Sequence, residues 1–203
     1  MTLLVAGLAL FAWLHSLRIV AEHWRQAQIQ RFGRLAWTAW HALMSIAALG
    51  LIIGGYAQSR QSGSALWVPP PGARAWTMVF TSLAFALMAT QLFAKSRIRR
   101  ALGYPFALGL ALWAAAHLLS NGRPGDVVLF LGFLAWALFI FIAARRKGLV
   151  AQGAAPAKVS WLWDGLAASL GIALAIVFAM YLHEPLIGVA PWVGVLQVHI
   201  TML

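Results

Sequence analysis

The chain has 203 residues, of which 63% are hydrophobic and only 9% are charged. An ordinary globular domain has about 25% charged residues, so this composition excludes a soluble fold and indicates an integral membrane protein. A net charge of +11 would suggest nucleic acid as a partner of a soluble protein. Here the Lys and Arg residues lie between apolar runs, so they indicate membrane topology and no nucleic-acid groove. The absence of cysteine excludes disulfides, thiolate nucleophiles and cysteine-bound metal.

Six apolar stretches have close to the roughly 20 residues that cross a bilayer as a helix. They cover residues 2–20, 35–56, 75–94, 103–120, 126–144 and 165–182. The sequence therefore predicts an all-α, polytopic membrane helix bundle of about six transmembrane helices, formed by a single domain over residues 1–203. After His183 a short apolar remainder is interrupted by Pro185 and Pro191, and we expect this C-terminal segment to lie at the membrane interface.

Basic residues alternate between the predicted loops. They cluster after the first, third and fifth helices, at Arg25, Arg31 and Arg34, at Lys95, Arg97, Arg99 and Arg100, and at Arg145, Arg146, Lys147 and Lys158. Cytoplasmic loops carry an excess of Lys and Arg, so these three loops are expected in the cytoplasm. Both termini then lie on the other side of a bacterial inner membrane, in the periplasm.

Small residues at a spacing of four predict where helices approach closely. Gly50 and Gly54 recur in this way in the second predicted helix, and Ala111 and Ala115 in the fourth.

The candidate chemistry rests on histidines, because ionisable groups at membrane depth are costly and mark functional sites. His15 and His41 lie about 8–9 Å from the same end of two neighbouring antiparallel helices, at about 1.5 Å per residue. Two neutral imidazoles so placed suit the iron of a six-coordinate haem b, with Arg18 near the haem propionates. Alternatively, each histidine hydrogen-bonds a neighbouring helix and binds nothing.

Other polar residues form weaker candidates. His117 shares a helical face with Trp113 and Asn121 near the opposite surface, where His183 also ends the sixth predicted helix, so these residues suggest a second site or a polar cluster. We expect His23 and His199 to be solvated or interfacial. The carboxylates fall at helix ends or in loops, which argues against paired-carboxylate catalysis within the bundle.

Three segments resemble the NnrU family of membrane proteins. They are Leu14-His15-Ser16-Leu17-Arg18, Leu112-Trp113-Ala114-Ala115-Ala116-His117-Leu118-Leu119-Ser120-Asn121-Gly122, and His183-Glu184-Pro185-Leu186-Ile187-Gly188-Val189. The resemblance spans nearly the whole chain. The family is associated with nitrite and nitric oxide metabolism in denitrifying bacteria. It is related to the plant and cyanobacterial 15-cis-zeta-carotene isomerase, a haem b membrane enzyme.

The resemblance implies haem b as cofactor and points to His15 and His117 as iron ligands, whereas the depth argument favours His41 as the partner of His15. Many relatives carry Arg-His-Pro where this chain has Gly103-Tyr104-Pro105, so any role of that histidine is lost or altered here.

The leading hypothesis is a haem b protein that acts in redox chemistry, or in cis–trans isomerisation of an apolar, polyene-like substrate within the membrane. A quinone is a further candidate ligand. The alternative from another class is a non-catalytic accessory or assembly protein for a nitric oxide or nitrite reductase. A transporter ranks third, because the sequence shows no paired discontinuous helices.

Overall fold

The structure is a computed structural model that describes residues 1–60, 64–148 and 158–191, and all regular structure in these ranges is helical. Its α-helices are α1 (Thr2–Val20), α2 (Glu22–Phe32), α3 (Arg34–Arg60), α4 (Ala73–Ala89), α5 (Arg97–Leu102), α6 (Pro105–Ser120), α7 (Pro124–Arg146), α8 (Trp161–Val177) and α9 (His183–Ile187). A 3-10 turn, Thr90–Leu92, extends α4, and a π-helical turn, Phe178–Leu182, joins α8 to α9. The predicted all-α bundle is confirmed.

Five helical stretches are long and apolar enough to cross a membrane. They are Thr2–Val20, Arg34–Arg60, Ala73–Leu92, Pro124–Arg146 and Trp161–Ile187. The apolar helix α6 is shorter and packs between α4 and α7. The chain is therefore a multi-pass membrane protein.

Each predicted transmembrane segment coincides with one of these helices, with shifts at the ends. α6 begins at Pro105 instead of residue 103, because a proline at the first helical position needs no N–H partner and has a helical φ. The short helices α2 and α5 were not predicted, since both are too polar to register as membrane spans. His199 and the end of the predicted interfacial segment, 192–203, lie outside the described residues.

The five spanning stretches and α6 pack side by side in the order α3, α1, α7, α6, α4, α8, and not in chain order. One end of the row, here called the basic end, contains the last turn of α1, the polar helix α2 and the basic helix α5. At the other end, called the far end, α9 folds back onto α3, where the Arg60 guanidinium donates a hydrogen bond to the Ile187 carbonyl. This contact places α9, which follows the last helix of the row, beside α3, the first helix of the row.

Glycines bring α1 and α3 into backbone contact, but they are not the predicted ones. A Cβ added at Gly7 would lie 2.8 Å from the Ile52 nitrogen, and one at Gly55 would collide with the backbone of Leu4. At Gly50 and Gly54 an added Cβ meets nothing within 4 Å. The prediction for Gly50 and Gly54 is wrong, because these two glycines lie on the face of α3 that points away from α1.

Candidate functional site

A cavity of about 370 Å³ lies at the far end of the bundle. Its walls come from α3, α4, α6, α7 and the C-terminal residues from Phe178 onward, and most of its lining is apolar. The polar side chains that line it include Tyr56, Arg74, His117, Asn121 and His183. This volume falls within the range of about 300–1,000 Å³ that is usual for small-molecule sites.

His117 is held in one orientation within α6. Its Nδ1 atom donates a hydrogen bond to the Trp113 carbonyl, one helical turn earlier, at 2.9 Å. The ring packs against Trp113 and Phe130, with both ring centroids 4.9 Å away, and these two aromatic rings also contact each other. Because the carbonyl accepts from Nδ1, the Nε2 atom of the neutral ring carries a lone pair.

His183 reaches the same cavity from a different backbone setting. It follows the π-helical turn, in which its backbone N–H bonds to the Phe178 carbonyl five residues earlier. Wide turns of this kind change the direction of the side chains that follow and often occur at functional sites. The His183 Nδ1 atom donates to the Val189 carbonyl at 2.6 Å, which again leaves Nε2 with a lone pair.

The two cavity histidines therefore share one tautomer. A histidine that binds metal usually donates its other ring nitrogen to a carbonyl or carboxylate, which fixes the ring and makes it a better ligand. Within residues 1–60, 64–148 and 158–191, no three His, Asp or Glu side chains come together as a metal site. A structural zinc ion, which takes four ligands, does not suit this set, whereas haem iron needs only axial ligands from the protein.

His15 and His41 meet at the basic end, as predicted, with ring centroids 5.3 Å apart and ring planes at 70°. His15 stacks on Phe11 at 4.0 Å and its Nδ1 atom donates to the Phe11 carbonyl. Two metal–imidazole bonds of about 2.0–2.1 Å would place the centroids of rings that both point at the metal roughly 6 Å apart. In this arrangement the two centroids are closer than that, and the rings contact each other edge to face.

His15 and His117 lie at opposite ends of the bundle. The aromatic rings of Phe11, Phe133 and Trp113 follow one another between them, at centroid spacings of 5.5 and 5.7 Å. The structure thus brings His15 to His41 and brings His117 to the cavity that His183 lines. Arg18 is exposed in the last turn of α1, at the basic end, and His23 is exposed on α2.

Tyr56 and Arg74 are cavity residues that the sequence did not single out. Tyr56 is one aromatic among many in an apolar stretch, and Arg74 contributed to the prediction only as a loop charge. Tyr56 and Arg74 share a cavity with His117 because α3 and α4 pack beside α6 and α7. No local sequence motif predicts this packing.

No curated protein and no solved structure matches the chain. The sequence model described as NnrU protein matches residues 3–191, which include both cavity histidines. The chain belongs to the NnrU family.

Proposed function

We propose that this protein binds haem b in the far-end cavity, where His117 and His183 are the residues that would hold its iron. The observation that supports the proposal is that two histidines, each with Nδ1 bonded to a backbone carbonyl, line one apolar cavity. The Nε2 lone pairs suit a metal. A neutral quinone offers only acceptor oxygens and would find no donor in these two rings.

The remaining lining contains groups of the kinds that haem-binding sites use. Phe130 and Phe133 supply apolar surface of the kind that a porphyrin face packs against, and Arg74 brings a positive charge to the cavity wall. When bound, haem supplies redox chemistry at its iron, and the protein sets its potential through ligands and burial.

The two histidines differ in how firmly they are held. His117 lies inside α6 and packs against two aromatic rings, whereas His183 is on the five-residue helix α9, next to the π-helical turn. His183 is therefore the residue that we expect to withdraw when a substrate needs access to the cavity. Redox chemistry, or cis–trans isomerisation of an apolar membrane substrate, is the reaction class that we propose for such a site.

We also propose the inner membrane as the location, with the basic end in the cytoplasm. The Arg residues of α2, α5 and the end of α7, together with Lys95 and Lys147 beside them, support this orientation through the positive-inside rule.

The test is the optical spectrum of the detergent-purified full chain, oxidised and dithionite-reduced. The parent should show a b-type spectrum with a split alpha band, which His117→Ala and His183→Ala should each abolish. His15→Ala, His41→Ala and the exposed-histidine control His23→Ala should retain it.

Loss of the spectrum in His15→Ala and His41→Ala alone would move the haem to the basic end and overturn the cavity assignment. Colourless parent protein after haem-supplemented expression would overturn haem binding altogether and favour the accessory role.

A further inference from the structure

The far-end cavity has a polar end and an apolar end. Arg74 lies in the first turn of α4, and Ser120 and Asn121 end α6, so these lining residues are near the far-end surface of the bundle. Leu49 and Phe133 line the cavity about 14–16 Å from the far ends of α3 and α7, at about 1.5 Å per residue. The lining therefore becomes less polar towards the middle of the membrane, in the same direction as a lipid molecule does.

The cavity is open on the side between α3 and α4. Both helices line it, but they do not pack against each other in the part of the chain that the structure describes, because α1, α7 and α6 lie between them in the row. Leu49 on α3 and Met78 on α4 line the cavity and keep 49% and 37% of their surface exposed. Lipid tails cover such apolar side chains as well as leucine does. A ligand dissolved in the bilayer can therefore enter here.

Asn121 offers the cavity one unused hydrogen-bond acceptor. Its Nδ2 atom donates to the His117 carbonyl at 2.8 Å and to Ser120 Oγ at 3.1 Å, which uses both N–H bonds. Because a carbonyl can only accept, this contact fixes which end of the amide is Nδ2, and no described residue donates to Oδ1. Among the described residues, the side-chain atoms that are fully buried without a partner are Thr81 Oγ1 and Gln91 Oε1, so Asn121 Oδ1 remains accessible.

The hydroxyl groups beside Asn121 already have partners. The Thr77 hydroxyl donates to the Ala116 carbonyl at 2.8 Å, which joins α4 to α6, and its oxygen lies 3.0 Å from Ser120 Oγ. These bonds hold the polar wall in one arrangement before any ligand binds. The acceptor that still lacks a donor in this wall is Asn121 Oδ1.

We propose that the cavity takes an unsaturated long-chain alcohol from the bilayer, with its hydroxyl donating to Asn121 Oδ1 and its chain leaving between α3 and α4. A hydroxyl can make this bond, whereas a carboxylate, a ketone or an ether can only accept. Trp113, Phe130 and Phe133 provide aromatic surface for an unsaturated chain. Most of the chain stays in the lipid, so the ligand needs little volume beside the haem.

This inference rests on the proposed function for the reaction alone, because it names the substrate of the same site, whereas binding of the alcohol needs no haem. The test is displacement of tritiated geranylgeraniol from the detergent-purified full chain, measured by scintillation proximity. The competitors are geranylgeraniol, its methyl ether and the corresponding carboxylic acid, which share one chain and differ at the head. We expect the ether to compete at least about fivefold more weakly than the alcohol, because it has no O–H donor. Equal competition by the two, or strongest competition by the acid, would overturn the proposal.

Variants at Asn121 test its acceptor oxygen. Asn121→Ala should abolish the preference for the alcohol over the ether, whereas Asn121→Asp keeps an acceptor and should retain it. The control is Gln58→Ala, which removes an exposed amide from α3 and should leave the preference unchanged. A preference that persists in Asn121→Ala would contradict the role of Oδ1.

Two neighbouring residues of α4 test the path of the chain. Met78→Trp should narrow the opening between α3 and α4 and weaken the alcohol and the ether alike. Val79→Trp, at a side chain that is 49% exposed outside the cavity, should leave both unchanged. Equal effects of the two substitutions would overturn entry from this side.

The optical spectrum of the same samples separates this inference from haem binding. A b-type spectrum in protein that does not distinguish the alcohol from the ether would overturn the alcohol site and leave haem binding standing. Colourless protein that prefers the alcohol would overturn haem binding and support the alcohol site.

Discussion

The phenol of Tyr56 donates a hydrogen bond to Oδ1 of Asp126 at 2.7 Å and so joins α3 to α7 across 70 residues of sequence. The other carboxylate oxygen, Oδ2, accepts the backbone N–H of Arg123 at 2.9 Å, at the start of α7. Both side chains are buried, with 6% and 4% of their surface exposed. A buried carboxylate is costly without partners, so this pairing explains how Asp126 is tolerated inside the bundle.

Replacing Tyr56 tests the contribution of this bond to stability. Tyr56→Phe should lower the free energy of unfolding by about 1–2 kcal/mol. This range lies between the average contribution of a hydrogen bond in membrane proteins and that of a hydrogen bond to a charged group in soluble proteins. Asp126→Ala should cost more, because it also leaves the Arg123 N–H without its acceptor. Unfolding in mixed micelles measures both, and the control is Tyr181→Phe, at an exposed tyrosine. Equal effects of Tyr56→Phe and Tyr181→Phe would show that the bond adds nothing.

Adjacent glycines in α3 provide a matched pair. Gly55→Ala should destabilise the protein by about 1–3 kcal/mol, because its Cβ would collide with the backbone of Leu4 and force α1 away from α3. Gly54→Ala should be neutral or stabilising, since it meets open space and alanine favours the helix by roughly 0.5–1 kcal/mol over glycine. Thermal unfolding in detergent compares the two variants, and a larger loss for Gly54→Ala would contradict the packing described for α1 and α3.

Asp164 connects α8 to the turn before α5 at the basic end. Its carboxylate accepts hydrogen bonds from the Ser96 hydroxyl and from the backbone N–H groups of Arg97 and Ile98. Asp164→Ala should cost about 1–3 kcal/mol, because the buried Ser96 hydroxyl and the two N–H groups lose their acceptor. Asp164→Asn keeps one acceptor oxygen and should retain part of this energy. If the unfolding curves of Asp164→Ala and Asp164→Asn coincide, the hydrogen bonds to the Asp164 side chain do not contribute to stability.

The Glu22–Arg25 pair on α2 predicts a defined response to pH. The hydrogen bond from Arg25 is the main cause that lowers the pKa of Glu22 from its ordinary value of 4.5 to about 2. Because the folded pKa is the lower one, the pair stabilises α2 above about pH 4.5 and the effect is lost as the pH falls towards 2. Arg25→Gln should raise the pKa of Glu22 towards 4.5. Carbon NMR titration of labelled Glu22 measures this, and an unchanged pKa in Arg25→Gln would contradict the assignment.

The histidines show which parts of the candidate sites residue spacing predicts and which parts it does not. The depth of His15 and His41 was predictable, because both are counted from the same end of consecutive helices, and the structure confirms that their rings meet. For His117 and His183 the sequence predicted only a similar depth in the membrane, and it did not predict the cavity that they line. Its shape depends on the π-helical turn at Phe178 and on the return of α9 to α3, and neither has a signal in residue spacing.

The glycines illustrate the same limit. A spacing of four identified Gly50 and Gly54 as packing residues, but the contact with α1 forms at Gly55. Spacing states which residues share a face of a helix, and it does not state which neighbour that face meets.

The sequence by itself determined the membrane location, the helical class and the approximate ends of the spans, because a bilayer accepts only long apolar segments whose backbone groups bond internally. Only the tertiary structure decided the lateral order of the helices and the residues that meet between them. Lipid contacts any apolar face about equally well, so the choice of neighbours falls to close packing at residues such as Gly7 and Gly55 and to buried hydrogen bonds such as that of Tyr56 with Asp126.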